Sequence, residues 1–102
     1  MEIERFEIKG LILLKPRVFS DERGYFLETF NLRSFLKSTG LDVDFVQDNE
    51  SQSAKNVVRG LHFQLPPFDQ GKLVRVVRGK VKDVAVDLRK NSPTYGRHQS
   101  VI

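Results

Sequence analysis

Hydrophobic residues along the chain fall mostly into short runs with a two-residue beat, broken by polar turns. Residues 6–14, FEIKGLILL, alternate weakly and then become uniformly apolar, as in a strand that starts half exposed and ends buried; Lys15-Pro16 closes it. A polar centre at residues 20–22 followed by Gly24 predicts a turn, and residues 25–30, YFLETF, predict a second strand. Only one segment has helical spacing: Leu32, Phe35 and Leu36 recur within residues 32–38, behind a capping Asn31 and ahead of a terminating Gly40. Residues 45–51 read as a strand that becomes polar, with Gln47 and Asn49 on one face, and a polar loop runs on to Asn56. Three further strands are predicted at 57–65, 72–78 and 81–88, joined by turns at Pro66-Pro67 and Gly79-Lys80. Pro93 and Gly96 bracket another turn, and residues 97–102 read as the start of one more strand.

Many short strands, short turns and one small helix predict a mostly β fold, an antiparallel sandwich or barrel; a parallel α/β fold would need more helices. With 102 residues there is room for one small domain and no second core. The last predicted strand has no successor, so the barrel is expected to be incomplete at its C-terminal side. Open sheet edges then predict dimerisation or strand exchange.

Composition narrows the function classes. There is no cysteine, which excludes disulfides and thiolate metal sites and suits the cytoplasm. The apolar run 11–14 is far too short to span a bilayer, and Glu2 and Glu4 do not fit a signal peptide, so no membrane partner is expected. The net charge is +4, yet the 17 basic residues are interspersed with 13 acidic ones and form no block, which argues against nucleic acid. A small anionic ligand, such as phosphate held by two or three arginines, uses that charge more economically.

The stretch 59–78, RGLHFQLPPFDQGKLVRVVR, holds the candidate chemistry. If the two strands pair as a hairpin about Pro66-Pro67, the imidazole of His62 and the ammonium of Lys72 can point into one cavity. They would act there as a base and an oxyanion partner. By residue type alone, a lone strand histidine is more often a hydrogen-bonded structural residue, and a lysine at a strand start is usually solvated.

Three separated motifs change that balance. DERGYFLETF (21–30), FVQDNESQSAKNVVRGLHFQ (45–64) and GKLVRVVRGKVKDVAVDLRKNSPTYG (71–96) together closely resemble the dTDP-4-dehydrorhamnose 3,5-epimerases. The resemblance implies a cupin-type jelly roll, a homodimer, and a site without metal or cofactor for dTDP-4-dehydro-6-deoxy-D-glucose, whose product is dTDP-4-dehydro-L-rhamnose. It implies His62 as catalytic base and Lys72 as the cation that steadies the enolate oxygen. Arg23 and Arg59 match the diphosphate ligands; Phe26, Glu28, Gln47 and Asn49 match the nucleotide contacts. The arm holding Arg23 and Glu28 typically reaches the neighbouring subunit's site. Asp83, on the predicted 81–88 strand, is read equally as a strand-face carboxylate paired with a basic residue and as a supporting site residue.

The chemistry fits these residue types. Protons at C3 and C5 flank the C4 ketone, so one base can remove each in turn through an enolate, and a nearby cation stabilises charge that grows in the transition state. Strict alternation puts Leu61 and Phe63 on the face of Arg59 and His62 on the other, so a bulge at Gly60 is expected if Arg59 and His62 serve one site. Family members continue past the length of this chain, so the resemblance is to their N-terminal portion. The general acid, the aspartate that orients the base and the thymine-stacking aromatic belong to the downstream part, and Tyr95 in SPTYG is not a substitute for the acid. Two other readings stay open: a related sugar-nucleotide isomerase or mono-epimerase on the same scaffold, and a non-catalytic dTDP-sugar-binding half-domain. A cupin metalloenzyme is disfavoured, because no second histidine lies two residues from His62 and His98 alone cannot complete a three-ligand set.

Overall fold

The computed structural model describes all 102 residues, Met1–Ile102. Its regular elements are β1 (Glu2–Arg5), β2 (Ile12–Lys15), β3 (Val18–Asp21), β4 (Gly24–Leu27), α1 (Leu32–Thr39), β5 (Asp83–Val86) and β6 (His98–Val101). The strands form three antiparallel pairs, β1 with β2, β3 with β4 and β5 with β6. The chain is therefore mostly β with one short helix, and no helix is long and apolar enough to cross a membrane.

By packing, the chain divides into two units, Met1–Asp42 with Val76–Ile102, and Val43–Arg75. All regular structure belongs to the first. The strand expected over 6–14 is instead two strands and a turn. Gly10 adopts φ +90°, Leu11 N–H donates to the Ile8 carbonyl at 3.2 Å, and the reversal pairs Arg5 with Ile12 and Glu2 with Lys15. Ile8 thereby turns inward and is buried. Lys15 reaches Glu4 at 2.6 Å; this bond raises the lysine's pKa, but both groups are about half exposed, so the pair adds little stability. The second hairpin turns at Glu22 and Arg23, slightly later than the pattern predicts, and β4 ends at Leu27 rather than continuing to Phe30.

The helix forms as its caps predict. Asn31 accepts the Ser34 N–H at 3.1 Å, and Gly40, at φ +75°, donates its N–H to the Leu36 carbonyl at 2.8 Å. Its buried residues are Phe35 and Thr39, one turn apart, whereas Leu32 and Leu36 remain exposed. Phe30 packs its ring 5.6 Å from that of Phe35, and Arg5 of β1 donates to the Thr39 carbonyl at 2.7 Å, tying the helix end to the first hairpin. Ile8 and Phe35 are the buried apolar residues of the unit, at 8% and 5% exposure.

The strand expected at 81–88 shortens to Asp83–Val86, and the strand expected from 97 forms as His98–Val101. Between them the chain folds into a run of turns held by Asp87. Its carboxylate accepts from Arg89 Nε at 2.8 Å, Arg89 N at 3.1 Å, Ser92 Oγ at 2.6 Å and Thr94 Oγ1 at 2.6 Å, with only 1% of the side chain exposed. With a terminal nitrogen of Arg89 on Oδ2 at 3.0 Å, five donors on one carboxylate stabilise its charged form. The Arg89 guanidinium first, then the Ser92 and Thr94 hydroxyls, hold Asp87 far below the usual carboxylate range.

The second unit departs from the pattern-based reading. Residues 45–51, 57–65 and 72–75 contain no strand, and every residue from Asp44 to Arg75 is exposed. The backbone hydrogen bonds described inside the unit close two local turns, Val57 N to Ala54 O at 3.3 Å and Phe68 N to Leu65 O at 2.9 Å, the second at the predicted Pro66-Pro67 turn. The physical reason is that a strand is defined by its ladder. Alternating valines and leucines favour an extended backbone, but the N–H and C=O groups pair only if another strand lies alongside.

Candidate functional site

The sequence-predicted residues divide between the units. In the first, Arg23 sits at the β3–β4 turn with its guanidinium folded back on Asp21, Nε to Oδ2 at 3.1 Å and a terminal nitrogen to Oδ2 at 2.6 Å. This pairing lowers the Asp21 pKa, yet the arginine side chain remains 85% exposed and its outer edge can take an anion. Phe26 lies opposite Phe19 across the hairpin and is exposed, and Arg17 stacks its guanidinium 4.7 Å over the Phe19 ring. An open groove of about 410 Å³ follows this hairpin, lined by Phe19, Asp21, Arg23, Tyr25 and Phe26 among others. An aromatic floor with an arginine at its rim suits a flat ring bearing a negatively charged tail. Glu28, just past β4, accepts from Asn31 Nδ2 at 3.4 Å and is otherwise open to solvent. Asp83 starts β5 opposite Val101, exposed and without an ion pair.

In the second unit, Gln47 Nε2 donates to Asn49 Oδ1 at 3.4 Å, so the two amides expected on one side do meet. Arg59 is held by its own loop: Nε donates to Ser53 Oγ at 2.9 Å and a terminal nitrogen to the Gln52 carbonyl at 2.8 Å. These contacts orient the guanidinium and leave further N–H groups free for a ligand. Gly60 has φ +118°, a backbone state that favours glycine, but without a strand over 57–65 the bulge expected there has no ladder to form in. A methyl at Gly60 would stand 3.5 Å from His62 Nδ1, which is ordinary contact, so the glycine is needed there for conformation rather than for space.

His62 and Lys72 are both exposed and form no hydrogen bond or ion pair. The predicted hairpin that would carry them on adjacent strands is absent, for the reason given above. An imidazole without a partner on either nitrogen has no fixed tautomer, and an ammonium in water has its charge screened. The organised polar cluster of the chain is elsewhere, around Asp87, and sequence reasoning passed over it. The available signal was an aspartate leaving a strand with a Ser-Pro-Thr turn a few residues later; those residue types bond back to a nearby carboxylate.

A family profile described as dTDP-4-dehydrorhamnose 3,5-epimerase matches residues 5–102. The chain belongs to the dTDP-4-dehydrorhamnose 3,5-epimerase family. Among its relatives bearing that epimerase name, one from Shigella flexneri is 55% identical over 97 residues, covering 95% of this chain and 54% of the relative. One from Methanothermobacter thermautotrophicus is 58% identical over 94 residues, covering 92% and 50%, and one from Escherichia coli K12 is 51% identical over 102 residues, covering 100% and 55%. The chain spans about half the length of the curated relatives it matches. Two solved epimerases share its course. The Elizabethkingia anophelis enzyme gives a TM-score of 0.89 at 46% identity over 99% of this chain and 55% of its own. The Bacillus anthracis enzyme, solved with TDP and PPi bound, gives 0.91 at 42% identity over 98% and 57%.

Proposed function

We propose that this chain is the N-terminal, nucleotide- and base-bearing portion of a single-domain cupin-type jelly roll, and that it works in dTDP-L-rhamnose biosynthesis. The reaction is epimerisation at C3 and C5 of dTDP-4-dehydro-6-deoxy-D-glucose to dTDP-4-dehydro-L-rhamnose. The observation that carries this reading is the family match over residues 5–102, reinforced by the shared course with a relative solved with TDP and PPi.

In this reading His62 takes the proton from C3 or C5, the electron pair moves into the C4 carbonyl, and Lys72 stabilises the oxyanion as it forms. Reprotonation on the opposite face, by a general acid that the resemblance places in the downstream part of the family, inverts the centre, so no redox step and no cofactor or metal is needed. Arg23 and Arg59 bind the diphosphate, Phe26, Glu28, Gln47 and Asn49 contact the nucleotide, and Asp83 supports the site. The working form is a cytoplasmic homodimer with exchanged strands.

A second reading, binding of the dTDP-sugar without turnover, is favoured by one specific observation: His62 and Lys72 are solvated and unpartnered, while Arg59 is already oriented by Ser53 and Gln52. NMR in D2O with the sugar nucleotide separates the two. Deuterium entering at both C3 and C5 supports the epimerase, and entry at one carbon marks a mono-epimerase. No exchange, with dTDP binding retained in a calorimetric titration, leaves the binding reading; loss of both ends the proposal.

A further inference from the structure

Arg23 and Arg59, the two arginines read as diphosphate ligands, are held by different kinds of group. Arg23 folds onto the Asp21 carboxylate, so part of its charge is met within the chain. Arg59 is held by neutral acceptors alone: Nε donates to the Ser53 hydroxyl at 2.9 Å and a terminal nitrogen to the Gln52 carbonyl at 2.8 Å, and it forms no ion pair. Its whole positive charge stays available to a ligand. The two bonds also use one edge of the planar guanidinium. Nε and the terminal nitrogen beside it point toward acceptors that are neighbours in sequence, so the opposite edge, formed by both terminal nitrogens, stays open. That edge is a fork matched to two oxygens of a phosphate.

Ser53 reaches Arg59 because the chain between them turns back. Val57 N–H donates to the Ala54 carbonyl at 3.3 Å and closes a turn over residues 54–57, whose third residue, Asn56, has φ +68°. Positive φ at that position selects Gly or Asn, and Asn56 is the non-glycine residue of the chain that adopts it. We infer that Ser53 is a positioning residue for ligand binding: its hydroxyl, delivered by the Asn56 turn and supported by the Gln52 carbonyl, presets Arg59 as a fully charged fork for the diphosphate. The inference rests on the reading of Arg59 as a diphosphate ligand and deepens it. An unrestrained arginine loses rotamer freedom when it grips an anion, whereas one already fixed loses less. Ser53 acts through Arg59 and touches no ligand itself.

The test is calorimetric titration of the full 102-residue chain with dTDP, set against thymidine, which lacks the phosphates, followed by NMR shifts. Ser53→Ala should weaken dTDP binding about three- to ten-fold and leave thymidine binding unaltered. Ser53→Thr, which keeps the acceptor, should bind dTDP as the parent does. Asn56→Val, strained at positive φ, should behave like Ser53→Ala, and Asn56→Gly like the parent. In an Arg59→Ala background, Ser53→Ala should have no further effect on dTDP. Without any ligand, the Arg59 Nε–H should exchange with water more slowly in the parent than in Ser53→Ala. Ser53, Asn56 and Arg59 are all exposed, so β5–β6 amides should exchange as in the parent in every variant. Weakening of dTDP by Arg59→Ala but not by Ser53→Ala would overturn the inference and leave the diphosphate reading in place. An additive loss in the double variant, or an equal loss of thymidine, would overturn it too, because the effect would not pass through Arg59. If Arg59→Ala binds dTDP like the parent, or the parent does not bind it, the diphosphate reading itself fails and takes the inference with it.

Discussion

Asp87 and His62 lie 25 positions apart in sequence and are held in opposite ways. Asp87 is buried, receives donors from Arg89, Ser92 and Thr94, and sits where β5 runs into its turns; all donors to its carboxylate come from within seven residues. His62 stands in solvent without a partner, in a segment whose backbone is unpaired apart from local turns. The difference is one of range. A turn can satisfy its polar groups from its own residues, whereas a strand depends on chain that is distant in sequence. Residues implied for chemistry by the family resemblance are concentrated in the segment that is least able to organise itself.

The contrast is broken or sharpened most directly by amide exchange on the chain alone at low concentration. Amides of the β5–β6 hairpin and of Gly96 and Arg97 should be protected, and those of residues 57–65 should exchange at close to the rate of an open chain. Comparable protection in both places would refute the comparison. Next in size, Phe35→Ala removes the ring that fills the helix contact and should cost about 3–5 kcal/mol in chemical denaturation, while leaving exchange in residues 57–65 unchanged.

Asp87→Ala comes third. It leaves the Ser92 and Thr94 hydroxyls and the Arg89 N–H without their acceptor, and should lower the melting temperature by more than about 5 °C. The same carboxylate sets an acid response. Its folded pKa is depressed, so its contribution to stability is complete above the ordinary aspartate range and is lost progressively as pH falls below that range toward the folded value. Melting followed from pH 6 down to pH 2 should show a decline that Asp87→Asn largely removes. On the other side of the contrast, Arg59→Ala should weaken dTDP binding by about 1.5–3 kcal/mol in a calorimetric titration if this residue holds the diphosphate, and hardly alter it if the Ser53 and Gln52 bonds are its whole role. The smallest effect expected is Asn31→Ala, about 1 kcal/mol from loss of the helix cap, read from the same denaturation curves.

Legibility in the sequence followed the same division. The helix was readable to within a residue because Asn31, Gly40 and the apolar spacing all act locally, and the Pro66-Pro67 turn for the same reason. The first strand was misread because the alternation of Phe6 and Ile8 mimics a continuing strand, while the reversal depends on the positive φ of Gly10. Residues 57–65 and 72–78 carry a strand pattern that is real as propensity, but formation needs a partner that no local rule supplies. Of the residues the family motifs imply, Gln47 and Asn49 meet as their two-residue spacing predicts, and Arg59 is oriented by Ser53 and Gln52 of its own loop. The meeting of His62 with Lys72 was not realised, since it required that missing ladder.

The turn closed by Val57 N–H on the Ala54 carbonyl, with Asn56 at φ +68°, has a practical use. The chain has no cysteine, so Lys55→Cys would create a unique thiol on an exposed turn. A fluorophore attached there would report on events in the 43–75 segment without disturbing the Arg5 to Thr39 tie or the Asp87 cluster.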